Sequence, residues 1–143
     1  MAAKNADEAI EIVRAYFAER DAFRLVLVYG SATTGRLNPS SDVDIAVAGE
    51  RPFDRMTLLA VEGELSALLE RPIDLIDLNR VEGLILREAI IHGARIKLDR
   101  ELFVKFHCKV MTYREDFLPL RRFMQDERIE RFIHGQGRRQ DKA

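Results

Sequence analysis

The sequence holds a single cysteine, Cys108, so no internal disulfide framework can form, and the thiol usage fits a reducing cytosol. It has no surplus of either charge. With 23 basic against 24 acidic residues the formal net charge is −1, and no global field draws the chain to nucleic acid or to an anionic membrane. No apolar run approaches the ~20 residues that span a bilayer, and the polar start from Met1 to Glu8 lacks the core of a signal peptide. Histidine is scarce, and His92, His107 and His134 lie too far apart to give a metal-ligand spacing. Cys108 beside His107 makes no dyad, because neighbours on a helix point in different directions. Internal repeats and interdomain linkers are missing as well. These absences leave a soluble, cytoplasmic protein in which any nucleotide site must be local.

What is present is concentrated between Leu25 and Val47, LVLVYGSATTGRLNPSSDVDIAV. Leu25 to Tyr29 has the β-branched and aromatic bias of a buried strand and stops at Gly30, where a residue without Cβ lets the backbone approach a ligand. Ser31 adds a hydroxyl and an N–H. After ten intervening residues come Asp42 and Asp44, entering a second strand from Val43 to Val47. The period-two geometry of a strand puts both carboxylates on one face and Val43, Ile45 and Val47 on the other. Two acids side by side repel, so a cation belongs between them, and oxygen-only ligation favours magnesium or manganese.

The 143 residues suit one domain, with a sheet covered by helices. Asn5 with Glu8 has the form of a capping box ahead of a helix over Ala6 to Arg20. A helix from Asp54 to Glu70 follows the second strand, weakened but not broken by Gly63. Arg71-Pro72 stops it and launches a third strand, Ile73 to Leu78, with Asp74 near its start and Asp77 as an edge charge on the opposite face. A helix from Val81 to His92 closes at Gly93 as a C′ residue, and Ala94 to Leu98 gives a fourth strand. Phe103, Phe106, Val110, Tyr113 and Phe117 mark one helical face, serving as core or as a partner surface, and Pro119 interrupts that helix. Leu120 to Ile133 forms a last helix. The expected domain is 1–134, with 135–143, which carries Arg138, Arg139 and Lys142, as a disordered tail. The fold class is α/β, a small mixed sheet of about four strands packed by helices, with a helical C-terminus.

Gly30-Ser31, ten residues, then Asp42-x-Asp44 resembles the signature of the polymerase-β-like nucleotidyltransferase superfamily, and Ile73-Asp74-Leu75 supplies its third carboxylate. The small size and polar first helix are similar to the minimal nucleotidyltransferase (MNT) group, in particular to MntA-type antitoxins paired with HEPN-domain toxins. The resemblance implies that Gly30 and Ser31 cradle a triphosphate, and that Asp42, Asp44 and Asp74 hold two magnesium ions. It further implies that Asp74 takes the proton of the acceptor, and that AMP passes from ATP to a tyrosine of the toxin. Thr33 and Thr34 stand where the group often has an alanine and a basic residue, and Arg36 is not expected to be essential.

Taken singly, each feature has a plainer reading. Gly30-Ser31 could be a strand-ending turn, and Asp42 and Asp44 a solvated strand end. A calcium loop would need a further acid and a glycine that are absent, and a phosphatase-type pair would follow its apolar strand instead of preceding it. Two further functions also remain open: a small-molecule, aminoglycoside-type nucleotidyltransferase, and an antitoxin that acts only by binding.

Overall fold

The computed structural model describes residues 6–30 and 42–124, with side chains as far as Thr112. In order these are α1 (Ala6–Ala18), β1 (Leu25–Tyr29), β2 (Val43–Ala48), α2 (Arg55–Leu69), β3 (Ile73–Asp77), α3 (Gly83–His92), β4 (Ala94–Lys97) and α4 (Arg100–Met124). Contacts divide the chain into two units, Met1–Val110 and Met111–Ala143. The first holds the whole sheet. Of the second, the continuation of α4 to Met124 is described.

The sheet runs β3-β2-β1-β4 and is mixed: β1 is antiparallel to β2 and β4, while β2 and β3 are parallel. A parallel pair needs a crossover, and α2 supplies it. All five residues of β1 are buried, as a central strand covered on both faces requires. One face carries Val26, Val28, Val43, Ile45 and Val47 against α1 and α2, where Val13, Phe17, Leu65 and Leu69 lie. The other carries Leu27, Tyr29 and Ala46 against Leu86 and Ile90 of α3 and Phe106 and Val110 of α4. The strand alternation read from the sequence is thus what separates the two layers.

Helix ends differ in chemistry from the expectation. The α2 start is capped by Asp54, which accepts from the Thr57 N–H at 2.8 Å. Its left-handed C-cap is Glu70, at φ 55 and ψ 42. Gly93, expected to take that conformation after α3, is extended at φ −74 and ψ 147. Its lack of a side chain serves packing instead: a Cβ there would collide with the Ala89 carbonyl oxygen and crowd Leu27 of β1. Nor does Pro119 interrupt the last helix. α4 is continuous from Arg100 to Met124; the lost N–H and the crowding of the carbonyl four residues back are a local cost, and the helical bonds on either side of it persist. The expected capping residue Asn5, the residues Ile129, Phe132 and Ile133 of the expected last helix, and the tail 135–143 all lie outside the described residues.

Asp77 is also corrected. It is 3% exposed, not an edge charge. Its carboxylate accepts from the Phe53 N–H at 2.8 Å and from the Asn79 N–H at 2.9 Å, tying the segment after β2 to the end of β3. Asn79 Nδ2 adds a bond to the Gly49 carbonyl at 3.1 Å. In register with Val47, on the face covered by α1 and α2 and opposite to Asp74, Asp77 is a structural acceptor for backbone that would otherwise lose its hydrogen bonds on burial.

Candidate active site

Because β1 and β2 are antiparallel and β2 and β3 parallel, the end of β1 meets the starts of β2 and β3. Register places Tyr29 beside Asp44, and Asp44 beside Asp74. Register neighbours project to the same face of a sheet, about 4.8 Å apart along the hydrogen-bonding direction. Asp42 lies immediately before β2, near enough for its charge to act on Asp44. Of the residues that sequence spacing singled out, Gly30, Asp42, Asp44 and Asp74 are therefore brought to one end of the sheet.

The electrostatics follow from that proximity. Asp42 and Asp74 are exposed and Asp44 is half-buried. Burial first, then the charges of Asp74 and Asp42, push the Asp44 carboxyl up from 3.8 to about 6. The Tyr29 phenol is pushed up as well, by burial and then by Asp44, Asp74 and Glu88, so its proton stays in place throughout the neutral range. The site is thus a concentration of negative charge that a cation would relieve. In the conformation described, no three Asp, Glu, His or Cys side chains among the described residues are disposed to grip one ion by themselves. The oxygen-only donors fit magnesium, with further oxygens to come from a ligand.

Gly30 has φ +76, and a Cβ there would run into the Asp44 carboxylate. The glycine thus opens space for a protein carboxylate at the strand end. Ser31 and Arg36, with Thr33 and Thr34, lie outside the described residues.

Tyr29 and Glu88 are site neighbours that the sequence reading passed over. Tyr29 could have been found, since it precedes Gly30 and falls on the carboxylate face once the pairing is set. Glu88 carries no such signal, because only the packing of α3 brings it near. His92 and His107 join no ligand set among the described residues. A cavity of about 450 Å³, lined by Arg24, Gly49, Glu50, Arg51 and Phe53 among others, lies where β1 begins and β2 ends, at the opposite end of the sheet.

A sheet of this order, with a glycine-terminated strand facing an Asp-x-Asp and a third aspartate in register, defines a nucleotidyltransferase. The chain belongs to the polymerase beta nucleotidyltransferase family, whose pattern matches residues 11–101. It is 26% identical over 83 residues to the protein adenylyltransferase MntA of Shewanella oneidensis, covering 56% of this chain and 60% of that protein. The match therefore spans less than two thirds of that relative's length. Among solved structures, the chain is similar to one in a toxin–antitoxin complex with AMP-PNP, at TM-score 0.69 and 19% identity, covering 81% of this chain and 94% of the other. It is also similar to one in the complex of tri-AMPylated Shewanella oneidensis HEPN toxin with MNT antitoxin, at TM-score 0.66 and 16% identity, covering 83% and 94%. At these identities the likeness is one of fold.

Proposed function

We propose that the chain is a magnesium-dependent adenylyltransferase antitoxin that transfers AMP from ATP to a tyrosine hydroxyl of a HEPN-domain toxin and so neutralises it. The observation that carries this reading is the row of carboxylates at the junction of three strands, with Asp44 pushed up by burial and then by the charges of Asp74 and Asp42. Asp42, Asp44 and Asp74 would hold magnesium together with the phosphate oxygens of ATP. Such a metal would supply positive charge to offset the departing pyrophosphate and to make the acceptor hydroxyl more acidic.

The rest is the work of the chain's own groups. By the resemblance of the sequence, Gly30-Ser31 would supply backbone N–H and hydroxyl contacts to the triphosphate. The acceptor oxygen attacks the α-phosphorus, and the bond from that phosphorus to the β-bridging oxygen breaks. Pyrophosphate leaves on the far side, and the acceptor proton passes to Asp74.

The test mixes the purified protein, magnesium and ATP with the HEPN-domain partner from the same organism and reads intact mass. Gain of one or more adenylates is expected, with Asp42→Ala and Asp44→Ala each slowing it by ~100-fold or more, the scale on which losing one charge-stabilising group acts. Circular dichroism should report the fold kept. Full activity in either variant would sink the assignment. Neutralisation by a doubly substituted protein that adds no adenylate would establish an antitoxin acting by binding alone.

A further inference from the structure

We propose that the free edge of β3 is the docking site for the acceptor: an extended segment of the partner protein adds to it as a fifth strand, with the target tyrosine in register with Asp74. The proposal rests on the adenylyltransferase reading and deepens it. Its ground is which backbone groups of β3 are in use. The Val43 N–H donates to the Pro72 carbonyl at 3.0 Å, and the Leu78 N–H to the Val47 carbonyl at 2.8 Å. Backbone groups of alternate residues in a strand point to alternate sides. Residues 72, 74, 76 and 78 therefore turn their N–H and C=O groups towards β2, while Ile73 and Leu75 turn theirs outward. Among the described residues nothing bonds to the outward N–H and C=O of Ile73 or Leu75.

The two edges of the sheet are treated differently. β4, at the other edge, has four residues, a register shift between Val26 and Leu27 of its partner, and two cationic side chains, Arg95 and Lys97. Short length, irregular register and basic residues are how sheets protect an edge from pairing with another chain. β3 has five residues in unbroken register with β2 and no basic residue within it. Among the described residues its edge is left open, beside the carboxylates of Asp44 and Asp74.

A polypeptide in extended form is the ligand that matches alternating donors and acceptors along such an edge. In either strand direction, the added residue paired with Asp74 projects to the face that carries Asp44 and Asp74. The added strand lies ~4.8 Å beyond β3. A tyrosine side chain is longer than that spacing, so its hydroxyl can return over Asp74, the proton acceptor. Serine or threonine at the same place would fall short, which makes the edge a selector for tyrosine.

The test reads backbone amide exchange by NMR, residue by residue, in the full chain alone and bound to the HEPN-domain partner from the same organism, without ATP. The amides of Ile73 and Leu75 should exchange quickly in the free protein and at least about tenfold more slowly in the complex, with Asp74 and Ile76 slow in both. Parallel samples given magnesium and ATP score adenylation by mass. Transfer without new protection at Ile73 and Leu75 overturns the docking proposal and leaves the adenylyltransferase reading standing. Absence of transfer overturns that reading, and the docking proposal with it. Leu75→Pro removes an outward N–H without touching the ladder to β2, and should raise KM for the partner protein about tenfold while ATP affinity is unchanged. An unchanged KM overturns the proposal. Should this variant fail to fold, the exchange measurement decides alone.

Discussion

Asp44 bears the repulsion that the site is built on. Burial and the charges of Asp74 and Asp42 push its carboxyl up from 3.8 to about 6, so between these values the native state holds a proton that the unfolded chain has released. The contribution of this residue to stability is therefore full below the lower value and lost as pH rises through the upper one. Asp44→Asn should stabilise the metal-free protein at pH ~7.5 by roughly 1–2 kcal/mol after allowance for solvent screening, with the advantage gone near pH ~4. Thermal melts in a chelator across that range check it, and an Asn variant no more stable at neutral pH would refute it. At this scale the sequence was informative where spacing alone decides. Asp44 falls on the face of Tyr29 and Ala46 because strands have a period of two. It was uninformative where a partner decides, as with Asp77, whose burial depends on Phe53 and Asn79 arriving beside it.

Elements were legible in kind and order, and less so in how they end. α2 shows why. Its apolar positions announce a helix and Asp54 its start, but nothing in Glu70 announces a left-handed cap, a role that glycine usually takes. Tertiary packing held Gly93 extended against β1 for the same kind of reason. Gly63 is different, because it sits on the exposed side of α2 with open space where a Cβ would stand. Gly63→Ala should therefore gain about 0.5–1 kcal/mol from backbone entropy, a rise in melting temperature of about 3 °C. Scanning calorimetry would read it. A fall instead would mean that the position makes a contact which this helix does not show.

In the molecule as a whole, the two ends of the sheet have separate characters. One gathers Asp42, Asp44 and Asp74, and the other has the cavity beside Arg24 and Arg51. Arg24 is engaged there by Glu50 at 2.9 Å and Asp99 at 2.8 Å, so the cavity end is tied together by its own charges. Arg51→Ala should leave the rate of adenylate transfer within about twofold of the parent, as expected of a surface change remote from the chemistry. A large loss, read by intact mass, would mean that the far end takes part in binding substrate or partner. Strand order was the feature least legible in advance. Local pattern names strands one at a time, whereas the order β3-β2-β1-β4 depends on which long-range pairings close the core. That order decides which strand is left with an open edge.

The closeness of position 30 to the Asp44 carboxylate also limits how such a chain can drift over generations. Any side chain at 30 displaces the acid, so a lineage that keeps the acid keeps the glycine. Once selection for transfer lapses and the acid is lost, the glycine is no longer held, and larger residues become tolerable as far as the backbone turn allows. Change at position 30 should therefore appear only in lineages that have already lost the acid.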